Sequence, residues 1–214
     1  TLHDDAGSPA ITGLVRAPDP EVEVDEAELR SSAGILDGVD LVGEGPIAAR
    51  LWARPAVSIL AIDAPRVAEA INQLVPVARA KVSLRVPPGQ DATDALDALV
   101  AHLEAAAPWG ARVTVTRGSS APGFALTERG AEYAAFAEGM AEAWGTRPAE
   151  IGIGGTIPLI SLLAERFPRA AVLVTGVGEP TSRIHGPDES QDLGELRRSI
   201  LAEALALRNV AAHR

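Results

Sequence analysis

The sequence predicts an α/β protein in two blocks, on three observations: strand-like and helix-like periods alternate along it, turn residues cluster at Ser119-Ser-Ala-Pro-Gly123, and apolar residues are plentiful. With 47% hydrophobic and 22% charged residues among 214, the composition supports a sizeable core and sets aside bulk disorder.

Residues 1–45 are punctuated by Gly7, Pro9, Gly13, Pro18 and Pro20, then by Gly34, Gly38, Gly43 and Gly45, which predicts a long loop holding one short helix over 25–35. Residues 57–63 and 78–86 read as strands. The second alternates, with Val82, Leu84 and Val86 on one face and Arg79, Lys81, Ser83 and Arg85 on the other, giving the sheet a basic face. After Pro87-Pro-Gly-Gln90, Asp91 can cap a helix in which Leu96, Leu99, Val100 and Leu103 form one buried stripe, ending near Pro108-Trp-Gly110. Residues 112–116 alternate as a further strand. Strand, strand, helix, strand with short links describes a sheet covered by helices on one face, half of a ferredoxin-like unit without its first strand and helix.

The second block opens with a helix from about 127 to 144, stopped by Gly145. A glycine-rich turn, Ile151-Gly-Ile-Gly-Gly-Thr-Ile-Pro158, leads into a helix reaching about Phe167; a buried strand is expected at 171–175 and a turn around His185. From about Gln191 a last helix should bury Leu193, Leu196, Ile200, Leu201 and Ala204. Helices alternating with a very apolar strand suggest an α/β edge, where sites gather in loops beyond the strand ends.

The net charge of −10, with no basic stripe, argues against a nucleic-acid partner. The absence of cysteine excludes disulfides, thiolate metal sites and a cysteine nucleophile. No apolar run reaches the roughly 18 to 20 residues that span a bilayer, and Thr1-Leu-His-Asp-Asp5 is unlike a signal peptide, so a soluble, cytoplasmic chain without a membrane partner is expected. The polar start without Met suggests a preceding segment. A Gly-x-Ser-x-Gly elbow is missing, as is the Gly-Lys-Ser/Thr end of a P-loop.

Four segments can carry chemistry. His185, in Arg183-Ile-His-Gly-Pro-Asp-Glu189, is a potential metal ligand, although a lone His before Gly-Pro is more often a surface turn residue, and His3, His102 and His213 are poor companions. Gly154-Gly155-Thr156 before a helix lets backbone approach a ligand, with Thr156 as the expected N-cap and Pro158 in the first turn; an ordinary helix start reads equally well. Arg85 at a strand end is a solvated residue or a two-pronged contact for a carboxylate. Asn72, ahead of Val75-Pro76, can be turn chemistry alone.

Together, Asn72 to Pro76, Ala80-Lys-Val-Ser-Leu-Arg-Val-Pro-Pro-Gly-Gln90, Gly154-Gly-Thr-Ile-Pro158 and His185-Gly-Pro-Asp-Glu189, in this order, resemble the zinc metallopeptidase family of carnosinase-type dipeptidases, aminoacylase, acetylornithine deacetylase, succinyl-diaminopimelate desuccinylase and glutamate carboxypeptidase, its carboxyl-terminal half only. The resemblance implies an α/β fold: a partial α+β lid and dimerisation domain (ferredoxin-like, incomplete) over 1–118, and the carboxyl-terminal part of the α/β catalytic domain over 119–214. It implies that His185 binds one of two zinc ions, with Mn or Co as alternative metals, that Arg85 and Asn72 reach substrate from the lid, and that Gly154, Gly155 and Thr156 line the substrate's carboxylate end. It also implies a homodimer through the lid. The family's His-x-Asp pair, bridging Asp, Glu-Glu pair with the general base and remaining acidic ligand belong to an amino-terminal segment that this chain lacks, and the fragment alone is expected to be inactive. With that segment, zinc would polarise an amide carbonyl and lower the pKa of bound water, and the glutamate would move the proton. Gly45-Pro-Ile-Ala-Ala-Arg-Leu-Trp52 and Arg54-Pro55 look most like the bacterial dipeptidase branch, which favours a dipeptidase or carboxypeptidase for a small peptide with a free carboxylate. An N-acyl amino acid deacylase of the acetylornithine or succinyl-diaminopimelate type is the nearest alternative, and a non-catalytic lid fragment is another.

Overall fold

Two aspartates start two of the helices, because each carboxylate accepts hydrogen bonds from first-turn amides that the helix itself cannot satisfy. Asp25 accepts from Glu28 N at 2.8 Å to begin α1 (Glu26–Ala33), and Asp91 accepts from Thr93 N and Asp94 N at 2.7 and 2.9 Å to begin α2 (Ala92–Ala105). The computed structural model describes residues 2–126, 129–153 and 157–212. The chain divides into two units. One is built mainly from residues 2–21 and 40–123, the other mainly from 22–39, 129–152 and 157–212.

In the first unit, β1 (Ala56–Asp63) and β2 (Arg79–Arg85) pair antiparallel. The register runs Val57↔Leu84 and Ile59↔Val82, then slips by one residue so that Ile62 meets Ala80 and Asp63 meets Arg79. The slip reconciles β1 with its partner. An unbroken ladder would turn Ile62 toward the basic face of β2, whereas the irregularity after Ile59 returns it to the face of Val82 and Leu84 and sets Asp63 opposite Arg79. On the apolar face, Val57 packs with Ile11 and Leu99 of α2, and Leu2, Leu14, Val82, Leu84, Ala98 and Leu103 surround them. Within α2 the fully buried positions are Ala95 and Leu99, one turn apart, while Leu96, Val100 and Leu103 are half-buried.

The expected strand at 112–116 does not form, and the sheet of the described residues has two strands. Alternation makes a strand only when a neighbour takes up its amides and carbonyls, and here the segment's end is held by an ion pair from Arg117 to Asp97 of α2. Upstream of β1, Ala48, Ala49 and Ala53 are buried in a wide helical turn, from which Arg54 donates to the Ala17 carbonyl and pairs with Asp19.

In the second unit, α3 (Ala131–Trp144), ended by the left-handed Gly145, packs along α5 (Leu193–Ala212). Their contact uses small residues: Ala135 and Gly139 on α3, Ala202 and Ala206 on α5, with Leu205 buried beside them. Side-chain bonds fasten both ends, Trp144 Nε1 to Glu195 at 2.8 Å, Arg208 to Glu142 at 2.9 Å and Asn209 Nδ2 to the Ala135 carbonyl at 3.3 Å. The buried stripe therefore differs from the expected one. Leu193, Ile200, Leu201 and Ala204 are exposed and Leu196 is half-buried, because alanines admit a close backbone approach that leucines would hold off.

The run 171–175 is also not a strand; Val172 and Leu173 are half-buried and Ala171, Val174 and Thr175 exposed. So apolar a run needs hydrogen-bonded strands on its flanks, and none pairs with it among the described residues. Helix α4 (Pro158–Arg166) carries Pro158 in its first turn, as expected, and its N-cap position is Ile157 rather than residue 156. No helix among the described residues is long and apolar enough to cross a membrane.

Candidate functional site

Arg85 closes β2 and faces solvent, on the same face as Arg79 and Lys81. The ladder stops there because Pro87 and Pro88 have no amide hydrogen to extend it. The chain then turns, Gln90 N donating to the Pro87 carbonyl at 3.3 Å with Gly89 at φ +92°. Asn72 is exposed in the connection between the strands, at the centre of a three-residue turn closed by Gln73 N on the Ile71 carbonyl at 2.7 Å.

His185 is exposed, in a loop whose neck is tied twice: Gln191 Nε2 donates to the Val177 carbonyl at 2.7 Å, and Ser190 N to the Ser182 carbonyl at 3.0 Å. Inside the loop, Pro180–Ser182 forms a single 3₁₀ turn capped reciprocally by Glu179 and the buried Ser182. Hydrogen bonds from Thr181, side chain first, hold the Glu179 carboxyl below its ordinary range. Arg183, His185 and Asp188 all have left-handed backbone, at φ +52°, +64° and +58°. Three such non-glycine residues in six positions represent stored strain, which persists only where surrounding bonds over-determine the chain. The His-Gly-Pro run announces a turn, but its strain and double neck are invisible in the sequence.

Arg129, Tyr133 and Glu150 form a third cluster. Arg129 Nε lies 3.1 Å from both Glu150 oxygens, its Nη2 also donates to Glu150, and its guanidinium stands 5.8 Å from the Tyr133 ring centre. The Arg129 bonds, followed by one from Tyr133, lower the Glu150 pKa, and the Glu150 bond raises that of Arg129 in return. Gly154, Gly155 and Thr156, expected at the substrate's carboxylate end, lie outside the described residues.

Asn72 and Arg85 thus belong to the first unit and His185 to the second. Among the described residues no three His, Cys, Asp or Glu side chains gather to hold a metal ion. These residues by themselves therefore do not fit a two-zinc centre; the His185 imidazole is exposed, with Asp188 and Glu189 exposed nearby in sequence.

Residues 2–111 match the peptidase dimerisation domain. The chain belongs to this family, the M20 peptidases. It is 34% identical over 208 residues to a cysteinylglycine-S-conjugate dipeptidase of Corynebacterium striatum, covering 95% of this chain and 46% of that relative. Its fold is similar to the M20 family metallo-carboxypeptidase Sso-CP2 of Sulfolobus solfataricus, with TM-score 0.77 and 24% identity over 98% of this chain and 50% of the other. It is also similar to human carnosine dipeptidase 1, with TM-score 0.71 and 20% identity over 97% and 46%. The chain spans about half the length of the curated relative it matches. The mixed helix and sheet with a small antiparallel sheet fits this family.

Proposed function

We propose that this chain supplies the lid, over residues 1–118, and the closing part of the catalytic domain, over 119–214, of a metal-dependent dipeptidase or carboxypeptidase acting on a small substrate with a free carboxylate. The observation that carries the reading is the identity to a dipeptidase, which runs through 95% of the chain and so through both parts. Exposed at the end of β2, the Arg85 guanidinium can give two parallel hydrogen bonds to a carboxylate, fixing where the scissile amide lies. Asn72, exposed at the centre of a tight turn in the connection between β1 and β2, adds a donor and an acceptor to the lid's substrate-facing set. Gly154, Gly155 and Thr156 are assigned to the carboxylate end of the substrate, and His185 to one zinc ion. The same reading makes the protein a homodimer joined through the lid, in keeping with the dimerisation domain it carries.

The test uses the full-length protein that contains this chain, assayed for amino acid release from a dipeptide panel set against acetylornithine and succinyl-diaminopimelate, with metal analysis of the purified material. Dipeptide hydrolysis with bound zinc is expected. Hydrolysis of the acylated amines alone would move the protein to the deacylases.

A further inference from the structure

We infer that Gln90 and Gly123 are positioning residues that clamp the loop behind Arg85 from two sides and thereby set where its guanidinium meets substrate; this rests on the substrate-binding reading of Arg85. Gln90 is a polar side chain only 9% exposed, and both ends of its amide are used: Oε1 accepts from Val15 N at 2.7 Å, and Nε2 donates to the Gly13 carbonyl at 3.4 Å. A buried amide so satisfied is costly to displace, because moving it strands polar groups away from water. From the other side, Gly123 lies against the prolines: a Cβ there would stand 3.1 Å from Pro88 N and Cα and 3.4 Å from the Pro87 carbonyl carbon. Those contacts are with backbone, which cannot swing aside as a flexible side chain can.

Between Gln90 and Arg85 lie Val86, Pro87, Pro88 and Gly89, with Pro87 buried and the turn at Gly89 closed by Gln90 N on the Pro87 carbonyl. Each proline fixes its own φ and narrows the choices of the residue before it, so the link is stiff. A shift at Gln90 or Gly123 is therefore carried to Arg85 and not absorbed on the way. Neither residue touches substrate in this account; both act through the arginine.

A double-mutant cycle in the full-length protein tests this, with KM and kcat measured on a dipeptide that the unsubstituted protein hydrolyses. Gln90→Ala should raise KM about five- to tenfold with kcat within about twofold, the signature of a lost binding contact. In an Arg85→Ala background it should change KM by less than about twofold, because the contact it positions is already gone. Gln90→Glu, which keeps the acceptor for Val15 N, should recover part of the loss. If thermal melting shows that Gln90→Ala does not fold, Gly123→Ala carries the same cycle from the other side. Equal KM factors in both backgrounds, or an unchanged KM for both substitutions, overturn the clamp. An Arg85→Ala protein with unchanged KM overturns the reading of Arg85 itself, and the clamp's purpose with it.

Discussion

Gly139 of α3 stands so near α5 that a methyl group on its Cα would lie 2.8 Å from the Ala202 carbonyl oxygen and 2.9 Å from the Ala206 nitrogen. Both atoms are backbone, so a side chain there must push the helices apart. Gly139→Ala is expected to lower stability by about 1–3 kcal/mol, the usual cost of overpacking, despite alanine's better helix propensity. Urea unfolding measures this, and an unmoved midpoint would mean that the helices are spaced more widely than described.

The first unit depends on Leu99, which joins Ile11 and Val57 at its centre. Leu99→Ala should cost about 2–5 kcal/mol, and Leu96→Ala, at a half-buried site on the same helix, clearly less. Equal losses in thermal melting would argue that Leu96 shares the burial of Leu99.

Glu150 titrates lower in the folded protein than the ordinary 4.5, first because Arg129 hydrogen-bonds its carboxylate and then because Tyr133 does. A depressed carboxyl stabilises the fold above its unfolded value and loses that contribution as pH falls through the folded one. Stability should therefore decline from about pH 5 downward more steeply in the unsubstituted protein than in Glu150→Gln. The cluster is exposed, so the difference is small. Parallel acid profiles in urea titrations would remove Glu150 from the acid response.

How much was legible follows the range of the forces involved. Asp91 and Gly145 marked helix ends correctly because capping is settled within one turn. The alternation of Val82 and Leu84 with Lys81 and Arg85 gave β2 its faces, since one buried side suffices to fix them. The strands expected at 112–116 and 171–175 do not form, because a strand is defined by its partners. On α5, hydrophobicity pointed to Leu193, Ile200 and Leu201, but the face was decided by Gly139 on a helix more than 50 residues away. Gln90 could have been noticed in Pro-Pro-Gly-Gln, yet its partners at Gly13 and Val15 are distant in sequence. His185 and Arg85 were named from motifs, whereas the backbone strain around the histidine depends on the loop's closed neck.

That neck has a further consequence for the histidine. Gln191 is followed directly by Asp192, whose carboxylate accepts from Glu195 N at 2.8 Å in the first turn of α5. The segment from Val177 to Gln191 is thus a cassette mounted on the head of the last helix, and it carries His185. A change at Gln191 or Asp192 would swing the whole cassette and the imidazole with it.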